Sequence, residues 1–218
     1  MGEHPQLTQA REFAHQMREL SRRSPDKVGL AVHVNGAPEL TLLSSRPMRV
    51  RSMSKTAIGL AYAREVANDP TFANKTVKLA EIDRVGPGYF DGGAHANWKA
   101  SLAEGEEVSH AAIARGMLQD SSNTCTQYML DVLGHDKVNA IATEHGVGLE
   151  FRHMYDEVHH PMRASTTDMA KLMDGIAIKE SPAVQSAFAE VTLPFQVRSV
   201  AHGDGFGFGK GGSASNML

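Results

Sequence analysis

Cysteine is almost absent: Cys125 is the one thiol in 218 residues, which excludes an internal disulfide framework. It stands among apolar neighbours in a predicted helix and reads as a small core residue rather than a nucleophile. Aromatics make up only 6% of the chain, and Trp98 is the one tryptophan. Positive charge is not in excess. Lys and Arg total 22 against 25 Asp and Glu, for a net charge of −3, and no Lys/Arg run supplies a footprint for nucleic acid. Apolar runs fall short of the ~18–20 residues that span a bilayer, so no membrane association is expected. The opening Met1-Gly2-Glu3-His4-Pro5 is polar and has no signal-peptide core. The expectation is a cytoplasmic protein, or a mature secreted domain lacking its signal peptide. What remains is ordinary for a globular chain, at 41% hydrophobic and 22% charged, long enough for one substantial domain or two small ones that share a core.

Periodicity supplies the elements. Leu7, Ala10, Phe13, Ala14, Met17 and Leu20 recur at helical spacing and predict an amphipathic helix from Gln6 to Leu20. Val28–Val34 reads as a strand, Asn35-Gly36 as a two-residue hairpin turn, and Leu40–Ser44 as the returning strand. Ser54 to Val66 is apolar all round, the pattern of a buried helix. Residues 86–105, rich in glycine, read as loop. Val108–Gln119, Thr124–Leu133 and Asp136–Glu144 read as helices, with Ser121-Ser122-Asn123 as the turn between the first two. No period is visible from Gly146 to Ala164, a long loop of the kind that is more often functional than idle. Thr166 or Thr167 is expected to cap a helix through Met169 to Ile178. Gly203–Gly212, in which glycines alternate with Phe206 and Phe208, reads as a strand approached closely by a ligand.

Three short motifs carry chemistry. Ser52-Met53-Ser54-Lys55 opens the buried helix. Residues three apart share a helix face, and a lysine at a buried helix start can accept a serine proton. Alone, the spacing is better suited to a capping serine and a surface lysine. A second copy, Ser24-Pro25-Asp26-Lys27, lies in a turn with no helix to orient it. Ser121-Ser122-Asn123 presents hydroxyls and an amide between two helices, and it also suits a plain capping turn. Lys210-Gly211-Gly212 places a positive charge beside glycine backbone, or is simply a glycine-rich end.

Taken together and in this order, the motifs resemble S-x-x-K, S-D-N and K-T-G, the active-site elements of class A β-lactamases and penicillin-binding proteins. The resemblance runs from about residue 6 to residue 218. It implies an α/β (α+β) fold, with an antiparallel sheet flanked by helices and an all-helical domain. Residues 1–50 and 198–218 would form the sheet domain, and 51–197 the mainly helical one. It further implies Ser52 as nucleophile, Lys55 as its base, Ser121 as proton relay and Lys210 beside the relay. Asn123, Gly211, Gly212 and Trp98 would bind substrate, and the Ser52 N–H would form part of the oxyanion hole. The substrate would be a small-molecule or peptide-like amide or ester, with no cofactor and no metal.

The chain departs from that family in several places. Ser122 stands where the family has Asp, and Gly211 where it has Thr or Ser. The glutamate that activates the deacylating water has two candidates, Glu157 and Glu150, and Tyr155 could substitute. In the family, two more strands and a helix follow the third motif. The expectation is therefore that a second polypeptide, a swapped protomer or residues beyond this sequence complete the sheet. Three other readings stay open. The first is a transacylase passing its acyl group to an amine in a biosynthetic pathway. The second is a ligand-binding descendant with little catalysis. The third is a metal centre built from His153, His159, His160, Asp156 and Glu157, which lacks any HExxH-type spacing. Glutaminase also carries Ser-x-x-Lys before an apolar helix, but its other motifs are not found here.

Overall fold

The computed structural model of the chain describes residues 12, 15–16, 18–20, 22–23, 29–34, 37–42, 45–85, 92–103, 105, 107–152 and 161–192. The described positions between 12 and 23 are helical, so the opening helix runs past its expected end at Leu20. Strands β1 (Leu30–Val34) and β2 (Ala37–Leu42) pair antiparallel, with Leu30 opposite Leu42 and a register shift between Val32 and His33. The second strand thus begins earlier than the expected Leu40. The Asn35-Gly36 turn, the Ser24–Lys27 decoy and the Gly203–Gly212 strand lie outside the described residues.

Strand β3 (Met48–Arg49) leads into a 3₁₀ turn, Arg51–Ser54, and then into α1 (Lys55–Asn68). Next come β4 (Thr76–Lys78), α2 (Leu79–Val85), α3 (Ala94–Ser101) and β5 (Glu107–Ser109). Helices α4 (His110–Leu118), α5 (Asn123–Leu133) and α6 (His135–Glu144) follow. The described chain ends with β6 (Arg163–Ala164), α7 (Thr166–Asp174), a π-helical turn Gly175–Lys179, and α8 (Pro182–Thr192). Pairing is β3 with β6 and β4 with β5, both antiparallel. This is the antiparallel-sheet-plus-helices architecture expected. No described helix is long and apolar enough to cross a membrane.

Helix α1 is the hub. Every residue from Lys55 to Ala63 is buried, and the helix packs against α4, α5, α6 and α8. Gly59 sets the closest approach: a Cβ there would meet Leu118 Cδ1 at 2.8 Å and Phe188 Cε2 at 3.1 Å. Two expectations are corrected. Ala94–Ser101 is a helix rather than loop, started from Gly93, whose φ of 88° only glycine adopts cheaply. The cap of α7 is Ser165, not Thr166 or Thr167. Its hydroxyl accepts from Asp168 N, and Asp168 Oδ2 accepts from Ser165 N, a reciprocal pair that satisfies two otherwise orphaned amides. Helix α7 also packs on β1, where Asp174 accepts a hydrogen bond from His33.

Candidate active site

Local backbone geometry places the nucleophile candidate. The pairing of β3 with β6 continues as Val50 N donating to Met162 O at 3.1 Å. Arg51 then adopts φ 51°, turning the chain into the 3₁₀ segment that carries Ser52 and delivers Lys55 to the first position of α1. Ser54, buried, donates its hydroxyl to Arg51 O at 2.8 Å. Ser52 itself is half-buried.

Lys55 is 1% exposed, and its environment is built of oxygens. Nζ donates to Ser121 O at 2.6 Å, to Asn123 Oδ1 at 2.8 Å and to Ser121 Oγ at 3.2 Å. Three acceptors suit an ammonium. The two nearest are acceptors only, whereas the hydroxyl can reverse its bond, so a neutral amine keeps two donors satisfied and receives the third proton. Ser121 Oγ also lies 2.8 Å from Ser52 Oγ. Ser52, Ser121 and Lys55 thus form one hydrogen-bonded path, and the S-x-x-K pair is linked through the second motif.

Ser121 reaches this position at φ 68°, a left-handed conformation that costs a non-glycine residue about 1–2 kcal/mol. Such strain persists only where the surroundings over-determine it. Lys55 holds the Ser121 carbonyl, and the next residue, Ser122, donates its N–H to Gly116 O at 2.9 Å. Asp120, on the other side, has its carboxyl pushed above the usual range by burial.

The remaining expected site residues divide. Asn123 joins Lys55 as the first residue of α5. Trp98, expected at the substrate, is instead 2% exposed. Its Nε1 donates to Ala112 O at 3.1 Å, and its ring lies where a Cβ on Gly116 would stand 2.6 Å away. It is a core residue that seats α3 on α4. Glu150 is exposed and paired with Arg152 at 2.9 Å, on the surface rather than in the Lys55 cluster. Lys210, Gly211, Gly212, Glu157 and Tyr155 lie outside the described residues, as do His153, Asp156, His159 and His160 of the metal reading. Elsewhere, Glu144, His145 and Glu180 bring one ligand atom each within 4.8 Å of the others. Arg64 donates to Glu144 at 2.7 Å and also to Glu180, so a guanidinium already pairs with both carboxylates of that group. His95, Asp83 and Ser122 form a further chain that motif reading did not find, because its members come from three separate elements.

A family model described as the beta-lactamase enzyme family matches residues 12–190. The chain belongs to that family. Solved structures with the same fold include PBP-A, at TM-score 0.63 and 19% identity, covering 83% of this chain and 68% of that one. The β-lactamase from Sphaerobacter thermophilus gives TM-score 0.66 at 18% identity, covering 82% and 68%. That from Chitinophaga pinensis gives 0.68 at 13%, covering 89% and 74%. Curated proteins gave no match. Membership in the beta-lactamase enzyme family supports a serine hydrolase of the β-lactam type.

Proposed function

We propose that the protein is a serine acyl-enzyme hydrolase of amide or ester substrates of the β-lactam kind, with Ser52 as nucleophile. One observation carries the reading: Ser121 Oγ stands between Ser52 Oγ, at 2.8 Å, and Lys55 Nζ, at 3.2 Å. With Lys55 neutral, Ser52 passes its proton to Ser121 as Ser121 passes its own to Lys55. Ser52 Oγ bonds to the substrate carbonyl carbon, and the carbonyl electrons move to oxygen beside the Ser52 N–H. When the C–N or C–O bond breaks, its electron pair leaves with the leaving group. That group takes a proton from Ser121, which is refilled from the Lys55 ammonium. Asn123 Oδ1 holds Lys55 in place, and its amide orients the acyl chain. Water then attacks the ester and releases acid and free Ser52.

The reading extends to slow deacylation. Of the candidate bases, Glu150 is engaged at the surface by Arg152 and Glu157 lies outside the described residues, and an amine acceptor would compete with water for a long-lived acyl-enzyme. Among proteins of this fold, a PBP-A variant is known as an acyl-enzyme complex with penicillin G, in keeping with such a species. The test is pre-steady-state turnover of a chromogenic cephalosporin by wild type and Ser52→Ala. The expected result is a burst of one acyl group per chain followed by slow release, absent in Ser52→Ala. A burst that survives Ser52→Ala refutes the assignment.

A further inference from the structure

Ser122 is fully buried, and every part of it is engaged. Its Oγ accepts from Cys125 N at 3.2 Å and lies 2.9 Å from His95 Nδ1. The other ring nitrogen, Nε2, is 2.8 Å from Asp83 Oδ1, and Asp83 Oδ2 accepts from Lys99 Nζ at 2.7 Å. Donor logic sets the polarity. A carboxylate only accepts, so Nε2 carries a ring proton, and in the neutral imidazole Nδ1 then offers a lone pair. Ser122 accepts from the Cys125 amide and gives its single proton to His95. The chain Cys125 N–H, Ser122 O–H, His95, Asp83 ties the start of α5 to α3 and α2. Serine, histidine and aspartate in this order make nucleophilic triads elsewhere, but a Ser122 hydroxyl sealed from solvent cannot meet a substrate.

We infer that His95, oriented by Asp83, is the positioning residue that anchors Ser122 and so keeps the neighbouring Ser121 in its left-handed, Ser52-facing conformation. Ser122 is the only residue between the strained Ser121 and Asn123, so both groups that touch Lys55 hang from it. Its backbone is fixed by Gly116 O and its side chain by His95 and the Cys125 N–H, and a backbone strained at φ 68° persists only where it is restrained in this way. The imidazole ring is itself braced, its centroid 5.2 Å from that of the buried Trp98.

The inference rests on the proposed function only for its activity arm. The experiment compares wild type, His95→Leu, His95→Asn and Ser122→Ala in the full chain by two readouts: amide hydrogen exchange across residues 119–126 and the rate of Ser52 acylation by penicillin G. His95→Leu should speed exchange in the turn and slow acylation about tenfold, equivalent to ~1.4 kcal/mol. His95→Asn, whose amide oxygen falls near the place of Nδ1, should restore most of both. Adding His95→Leu to Ser122→Ala should cost nothing further. Should His95→Leu fail to fold, His95→Gln replaces it, because its longer amide reaches Asp83 and not Ser122. Gln must then behave as the loss and Asn as the rescue. Unchanged exchange and acylation in the loss variant, or Asn and Gln behaving alike, overturns the inference. A wild type that takes up no penicillin overturns the proposed function, while the exchange comparison still decides the role of His95.

Discussion

Ser121 Oγ lies 2.8 Å from Ser52 Oγ on a residue whose backbone is left-handed, at φ 68°. The hydroxyl and the strain are separable by mutation. Both Ser121→Ala and Ser121→Gly remove the relay, and acylation of Ser52 should fall by roughly 10²–10⁴-fold in each. Only glycine relieves the backbone, so Ser121→Gly should be more stable than Ser121→Ala by about 1 kcal/mol in urea unfolding. Equal stabilities would mean that the turn carries no strain.

Lys55 gives a second test. Lys55→Met keeps the length of the side chain but leaves Ser121 O and Asn123 Oδ1 without the donor they now share. Acylation should drop at least as far as in Ser121→Ala. The thermal midpoint should fall as well, since these half-buried acceptors would lose a partner and keep part of a desolvation cost that reaches ~1–3 kcal/mol for a buried group. A stable, acylating Lys55→Met would remove Lys55 from the proton path.

The α3–α4 contact predicts a stability asymmetry. At Gly116 a Cβ would meet the Trp98 ring at 2.6 to 2.8 Å, whereas at Gly148 it would meet nothing within 4 Å. Gly116→Ala should therefore destabilise by about 1–3 kcal/mol, and Gly148→Ala should lie within ~0.5 kcal/mol of wild type. Chemical denaturation of the two variants checks both.

Asp83 predicts a pH dependence. Burial raises its pKa, but bonds to His95 and Lys99 outweigh this and hold the carboxyl below its usual range. An acid depressed in the folded state stabilises fully above its unfolded pKa of about 3.9, and this contribution is lost as pH falls through that value toward the folded one. The thermal midpoint of Asp83→Asn should accordingly fall less than that of wild type between about pH 5 and pH 3. Parallel curves would contradict the pairing.

The parts of this site that the sequence reveals are those that local chemistry determines. Ser52 and Lys55 are three apart at a helix start, and Ser121-Ser122-Asn123 is a turn between two apolar runs, so local pattern places the two segments and the resemblance of the ordered motifs marks them as a site. Glycines at 92 and 93 disguised the helix that follows them: Gly93 is there to begin α3, not to prevent it. Helix α8 was announced by Pro182 at its first position, a signal the apolar pattern did not call attention to. Helix α2 is seven residues long, too short for a period to emerge. The His95 chain was out of reach for another reason. Its members come from two helices and the turn before a third, with His95 and Ser122 separated by 27 positions, and nothing local to either one names the other. Trp98, which the resemblance places at the substrate, packs instead on Gly116 of the next helix, a contact that nothing local to either residue reveals.

The central claim is that Ser52 becomes acylated, and intact-protein mass spectrometry after exposure to penicillin G tests it most directly. The account predicts a single adduct of one penicillin mass, mapped by peptide analysis to Ser52, absent in Ser52→Ala and retained in Ser54→Ala. An adduct on any other residue, or none on protein shown to be folded, would contradict it.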